Sequence, residues 1–265
     1  MALVLPDGVL ERGNVCVALS GGVLAITLSR PEARNAQTPA TWTALAAIGS
    51  ALEASPDVAR VVVIRGEGLA FSAGLDKRMF TAEGVPGETS LAHLASLPDD
   101  ELASAIAVFQ QAFLWQRNIS ALTVAAVHGP AVGAGFQLAL ACDVLLATPD
   151  ATFAMRETSY GLVPDLAGTQ PLVAAVGYSR ALDLCATGRS VSAEEGYLMG
   201  FVTRVVDDLD QAVFDMASTT GSTPPGSVEA LKALLAETHH RTRADQAQTE
   251  RLAQVQRLRS LLAGG

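Results

Sequence analysis

Hydrophobic and polar positions along the chain sort into short apolar runs that alternate with stretches of helical spacing. Residues 15–19 and Val23–Leu28 are two apolar runs across Ser20-Gly21-Gly22, an arrangement that predicts a hairpin. Pro39–Ala54 carries Trp42, Leu45, Ile48 and Leu52 at intervals of three and four, with Thr38 placed to cap it, and so predicts an amphipathic helix. Residues 58–65 are rich in β-branched side chains and predict a buried strand; 124–127 and 144–146 do likewise, with a helix over 134–142 between them. Residues 151–153 are again strand-like. Strand and helix in alternation indicate an α/β fold.

Two regions depart from this rhythm. Residues 81–100 mix glycine, proline and both polarities over a length too great for a plain connector, so they read as a mobile loop or a lid over a site. Near Asp207 the character changes, dividing the chain into a core of residues 1–206 and a helical part of 207–265. Residues 227–237 and 241–262 have amphipathic spacing, with Leu252, Val255, Leu258 and Leu262 forming an apolar stripe. That stripe fits packing on another subunit and packing on the chain's own core equally well.

Composition narrows the class. Of 265 residues 49% are hydrophobic and 17% charged, which excludes disorder as a whole. A net charge of −9 argues against nucleic acid as a partner, so a phosphate-bearing ligand must find a local basic patch. Cys16, Cys142 and Cys185 share no short spacing, leaving neither a disulfide framework nor a zinc site legible and fitting a reduced, cytoplasmic protein. Residues 121–147 are apolar enough to raise the question of a membrane span, but Gly129-Pro130, Gly133, Gly135, Gln137 and Asp143 interrupt them; no membrane partner is expected. Asp7 and Glu11 inside the first apolar stretch argue against a secretory signal.

The candidate chemistry lies in three short motifs. Gly133-Ala134-Gly135 follows an apolar strand and opens a helix, where backbone N–H groups are unsatisfied and the helix dipole favours negative charge. Small residues let a ligand approach those N–H groups, although they also suit close helix packing. Phe71-Ser72-Ala73-Gly74-Leu75-Asp76 stands earlier, after a strand and the Gly66-Glu67-Gly68 turn, and Glu157 stands twenty residues beyond Gln137. Any one of these is ordinary: Glu157 is one of 27 acids, and Asp165 after Pro164 is a common turn residue. In this order and separation, over residues 15–206, they resemble the crotonase superfamily of acyl-CoA enzymes.

The resemblance implies a spiral of ββα units with a C-terminal helical oligomerisation region, assembled as a homotrimer or hexamer. It implies that the N–H groups of Leu75 and Ala134 hold a thioester oxygen and that Glu157 is the acid or base. Arg30-Pro31-Glu32-Ala33-Arg34-Asn35-Ala36 matches the family's Arg-Pro-x-x-x-Asn-Ala loop along the coenzyme A channel. On that model Arg34, Ala36, Ala73, Leu75, Asp76 and Arg78 line the substrate site, and Lys77 joins Arg34 and Arg78 as a possible phosphate partner. Gln137 stands where the hydratases carry a second glutamate. An amide can orient a water or a substrate carbonyl but cannot accept and return a proton. Asp165, in the setting Gly161-Leu162-x-x-Asp165-x-x-Gly168-Thr169, resembles the dienoyl-CoA isomerase branch. The implied activity is double-bond isomerisation with Glu157 as proton shuttle; the alternatives are 2-enoyl-CoA hydration and a catalytically poor acyl-CoA carrier. No cofactor is implied beyond the coenzyme A of the substrate. Gly129-x₃-Gly133-x-Gly135 is not a dinucleotide fingerprint, and His239-His240 lack companions for a metal.

Overall fold

A computed structural model of the chain describes residues 3–81 and 83–263. Among the described residues nine strands form two sheets: β1 (Val15–Ser20), β2 (Val23–Leu28), β3 (Val61–Gly66), β4 (Leu122–Val127), β5 (Pro130–Val132), β6 (Val144–Ala147), β7 (Thr152–Ala154), β8 (Val191–Ser192) and β9 (Arg204–Val205). The larger sheet runs β1-β2-β3-β4-β6-β9 and the smaller β5-β7-β8. In the larger sheet β1 and β2 are antiparallel and every other pairing is parallel. The α/β class is as the alternation predicts.

The expected hairpin is present. Ser20 faces Val23 across a turn in which Gly21 and Gly22 have φ of 57° and 78°. Two successive positive φ values match the twist of the flanking strands, and glycine takes them without steric cost. The helix Pro39–Ala54 also forms, with Trp42, Leu45, Ile48 and Leu52 all buried. Strand β3 begins at Val61 rather than at 58, because the Val58 N–H closes a turn onto the Ser55 carbonyl at 3.2 Å. Along β3, Val62 and Ile64 join one apolar cluster while Val61 and Val63 join another on the opposite face. Burial on both faces explains the unbroken β-branched run.

Residues 83–100 hold more regular structure than their composition predicts. A 3₁₀ turn, Lys77–Phe80, precedes them; Leu91–Leu94 is a short helix whose start is capped by Ser90; and a long helix, Asp99–Leu114, begins inside the stretch. Asp99, Asp100 and Glu101 in its first turn complement the positive end of the helix dipole. The remaining irregular segment is tied down by Glu88, whose carboxylate accepts the Ala40 N–H at 3.0 and 3.2 Å. The Asp99–Leu114 helix packs on Pro39–Ala54 through Trp42, whose ring centroid lies 5.0 Å from Phe109 and 6.2 Å from Phe113.

At the C-terminal end, the helix Leu209–Gly221 packs Ala212 and Val213 against Val61, Val63, Val124 and Leu146 of the sheet. Ser227–Ala236 and Arg243–Ala263 follow. A largely buried ion pair, Lys232 Nζ to Asp143 Oδ2 at 2.7 Å, fastens the first of these to the core. Lys232 also donates to the carbonyls of Ala121 (2.6 Å) and Gln116 (3.1 Å). The apolar stripe Leu252, Val255, Leu258 and Leu262 is exposed on the single chain, so it does not pack on the chain's own core. Among the described residues no helix is long and apolar enough to cross a membrane.

Candidate active site

Strand β5 delivers the chain to Gly133, which has φ 54° and ψ −120°, a conformation open to glycine alone. The Gly133 N–H is held by the Ala154 carbonyl at 2.8 Å, and the helix Ala134–Ala141 starts at the next residue. Ala134 itself has no positive φ, so its methyl is tolerated in a place where the family resemblance expects glycine. The 71–76 segment packs directly on this turn. Gly74 has φ 84°, and a Cβ there would strike the Val132 carbonyl and lie 3.4 Å from the Ala134 nitrogen. Gln37 fixes the neighbours of Leu75 from the other side. Its N–H donates to the Gly74 carbonyl at 2.7 Å, and its carbonyl accepts the Asp76 N–H at 2.8 Å. Among the described residues no acceptor meets the N–H of Leu75 or of Ala134. The two expected donors are thus brought together and left free.

Glu157 arrives from strand β7 and opens a 3₁₀ turn, Glu157–Tyr160. A methyl built on Gly133 would sit 3.4 Å from its Oε1, which places the carboxylate beside the donor turn. Oε1 accepts a hydrogen bond from Gln137 Nε2 at 2.7 Å, whereas Oε2 is buried without a partner. Burial foremost raises the Glu157 pKa; hydrogen bonds from its own backbone and from Gln137 oppose the rise, and the charge of Asp165 adds to it.

Gln137 is 1% exposed. Its Oε1 accepts the N–H groups of Leu166 (3.0 Å) and Gly168 (3.2 Å), so the orientation of its amide is dictated by the network. Its oxygen thus serves two backbone groups, and its nitrogen donates one of its two hydrogens to Glu157. Asp165 belongs to the same 161–168 loop. Its carbonyl is held by Gln110 Nε2 at 2.7 Å. Solvent reaches the residue, yet neighbouring protein raises its carboxyl pKa by desolvation.

Residues 18–261 match the family model of enoyl-CoA hydratase/isomerase. The chain belongs to that family, within the crotonase superfamily. Its relatives include proteins named as hydratases and proteins named as isomerases. It is 34% identical over 189 residues to a Mycobacterium tuberculosis protein named as an enoyl-CoA hydratase, covering 69% of this chain and 66% of that one. It is 32% identical over 215 residues to the mitochondrial Δ(3,5)-Δ(2,4)-dienoyl-CoA isomerase of Mus musculus, covering 79% and 64%. The chain thus spans about two thirds of the length of these relatives. A Thermobifida fusca protein described as an enoyl-CoA hydratase, solved in complex with acetoacetyl-CoA, superposes with a TM-score of 0.90 at 42% identity, covering 96% of this chain and 98% of that one. The crotonase fold expected from the motifs is present.

Beside this site, the 30–36 loop lies against the 71–76 segment. The Arg34 carbonyl accepts the Ala73 N–H at 2.8 Å, and Ala36 is held through its carbonyl by Arg30 at 2.5 Å. Asp76 is buried between Arg30 (2.7 Å) and Arg78 (2.8 Å). The hydrogen bond from Arg78 foremost holds its carboxyl well below the usual carboxylate range. Arg78 thus gives much of its guanidinium to Asp76, while Arg34 and Lys77 are exposed and, among the described residues, unpaired with any carboxylate. The sequence reading missed Gln37 and the hydrogen bonds by which it joins Trp42 and Ser72. Gln37 Oε1 accepts Trp42 Nε1–H at 2.8 Å, Gln37 Nε2 donates to Ser72 Oγ at 3.0 Å, and Ser72 Oγ donates to the Asn35 carbonyl at 2.8 Å. The one available signal was an uncommon glutamine and threonine directly ahead of an apolar helix.

Proposed function

We propose that this protein isomerises a carbon–carbon double bond in acyl-CoA thioesters. The observation that carries the reading is one desolvated carboxylate, Glu157, set beside two N–H groups, those of Leu75 and Ala134, that no acceptor among the described residues satisfies. The thioester oxygen lies between the two donors. Glu157 takes a proton from C2 of a 3-enoyl thioester, the enolate charge collects on the oxygen held by the donors, and Glu157 returns the proton to C4. The product is the 2-enoyl thioester and the carboxylate is regenerated. Each preorganised donor contributes roughly 3–4 kcal/mol to stabilising such an oxyanion, and burial raises Glu157 toward a pKa useful to a base at neutral pH.

Coenzyme A is supported as part of the substrate by the complexes of the Thermobifida fusca relative with acetoacetyl-CoA and with CoA. Its phosphates would meet Arg34 and Lys77, with Arg78 positioned by Asp76, while Ala36 and Ala73 border the channel through their backbone. The hydratases among the relatives favour a second reading, hydration of 2-enoyl-CoA. It ranks lower because Gln137 holds no acid–base function, and a positioned acid–base group supplies roughly 10²–10⁴ in rate. A carrier without catalysis ranks below both, since it gives a desolvated Glu157 no role. The exposed stripe on Arg243–Ala263 supports an assembly, a trimer or hexamer, which light scattering measures. Three cysteines, none of them in a disulfide, suit a reducing compartment such as the cytoplasm.

Turnover of 3-enoyl-, 3,5-dienoyl- and crotonyl-CoA, assayed side by side, tests the assignment. Isomerisation exceeding water addition is expected. Hydration of crotonyl-CoA as the fastest reaction would transfer the assignment to the hydratases, and failure to bind any of the three would end it.

A further inference from the structure

We infer that Gln137 is a positioning residue: its amide couples the Leu166–Gly168 backbone to Glu157, fixes the carboxylate beside the donor turn, and fills the place a water would need between residues 137 and 157. The inference deepens the proposed function, resting on Glu157 as the base, and assigns Gln137 a role other than substrate ligand or proton carrier. Three distances carry it. Oε1 takes two backbone N–H groups at 3.0 and 3.2 Å, and Nε2 reaches Glu157 Oε1 at 2.7 Å. A side chain satisfied at both ends and 1% exposed has no freedom to turn toward a ligand. Because amide and carboxylate touch directly, a water cannot bridge them, and Oε2 is the carboxylate oxygen that, among the described residues, is buried without a hydrogen bond.

The arrangement is built around the amide. Gly168 lies so close that a Cβ there would come within 2.6 Å of Gln137 Cγ and 3.0 Å of its Oε1, although the Gly168 backbone itself (φ −76°, ψ −17°) suits alanine. The absent side chain at 168 is therefore a space requirement of Gln137 and not a backbone one. Other ionisable groups facing Glu157 are Asp165 on the 161–168 loop, whose charge adds to the effect of burial on Glu157, and Cys185 on the helix Tyr178–Thr187, whose thiol is pushed up by burial first and by Glu157 second. Neither donates a hydrogen bond to the carboxylate. Gln137 is the side chain that does.

The test follows the Glu157 carboxyl by carbon-13 NMR in the ligand-free protein, with Glu157→Gln identifying its resonance. Gln137→Met removes the hydrogen bond to the charged form, so the Glu157 midpoint is expected to rise by up to about one pH unit. Gly168→Ala, which leaves Gln137 in place but displaces it, is expected to move the midpoint the same way and serves if Gln137→Met folds poorly. The acid limb of isomerisation should move upward with the midpoint in both variants, so that activity recovers at higher pH, while affinity for a saturated acyl-CoA stays unchanged. A Glu157 midpoint unmoved in a folded variant of either kind overturns the inference, as does an activity loss that no pH restores. If the parent isomerises no acyl-CoA, the proposed function fails, yet the NMR titration still decides the coupling of Gln137 to Glu157.

Discussion

Gly133 and Glu157, 24 positions apart by number, meet so closely that a methyl on Gly133 would lie 3.4 Å from Glu157 Oε1. The residue that turns the chain into the donor helix is also the floor beneath the base. Gly133→Ala therefore acts twice. It forces a side chain into φ 54°, ψ −120°, a strain of about 1–3 kcal/mol, and it crowds the carboxylate. A fall in isomerisation rate of 10-fold or more is expected with modest thermal destabilisation, measured by steady-state kinetics and calorimetry. An unaltered rate would detach Gly133 from the site.

Glu157→Gln should lower isomerisation by about 10²-fold or more, since the amide cannot carry a proton. Binding of a saturated acyl-CoA should persist, because the donors are backbone groups of Leu75 and Ala134. Asp165→Asn should matter strongly for a 3,5-dienoyl substrate and weakly for a 3-enoyl one, if a second acceptor is needed farther along the chain. Parallel assays of both variants check this, and equal effects of Asp165→Asn on both substrates would remove its separate role.

The raised pKa of Glu157 fixes two pH dependences of known sign. Activity needs the carboxylate, so kcat/KM should climb through an apparent pKa above the usual glutamate range. Stability runs the other way. A carboxyl whose folded pKa exceeds its unfolded value contributes stability at pH below the unfolded pKa and loses it as pH rises through the folded one. Glu157→Gln is accordingly expected to raise the melting temperature at neutral pH, and to raise it less near pH 4. A variant less stable than the parent at neutral pH would contradict the burial of the charge.

Lys232→Ala leaves Asp143 buried beside Thr123 without its cation, and breaking a buried pair from one side costs roughly 3–5 kcal/mol. Urea unfolding should register that loss. Lys232→Met together with Asp143→Leu should recover much of it, because the charges are removed together.

Much of this protein is set by local sequence. The hairpin at Gly21-Gly22, the helix Pro39–Ala54 and the glycine turn ahead of Ala134 follow from neighbours within a few positions, where backbone conformation and side-chain period act directly. The order of the motifs around Leu75, Ala134 and Glu157 was likewise legible, since each occupies a handful of consecutive residues. Tertiary structure alone decided the rest. The stretch 81–100, whose glycines and prolines resemble a loop, runs into the first turn of the Asp99–Leu114 helix, which packs Phe109 and Phe113 on Trp42. Gln37 became the brace of the donor loop through residues 35 positions away, and Lys232 found Asp143 across the length of the core. Gln137 could be recognised as an amide in a carboxylate's place, but its binding to Leu166, Gly168 and Glu157 could not. A hydrogen bond between distant residues leaves no period in the chain; it exists once the sheets and turns have brought its two ends within 3 Å or so of each other.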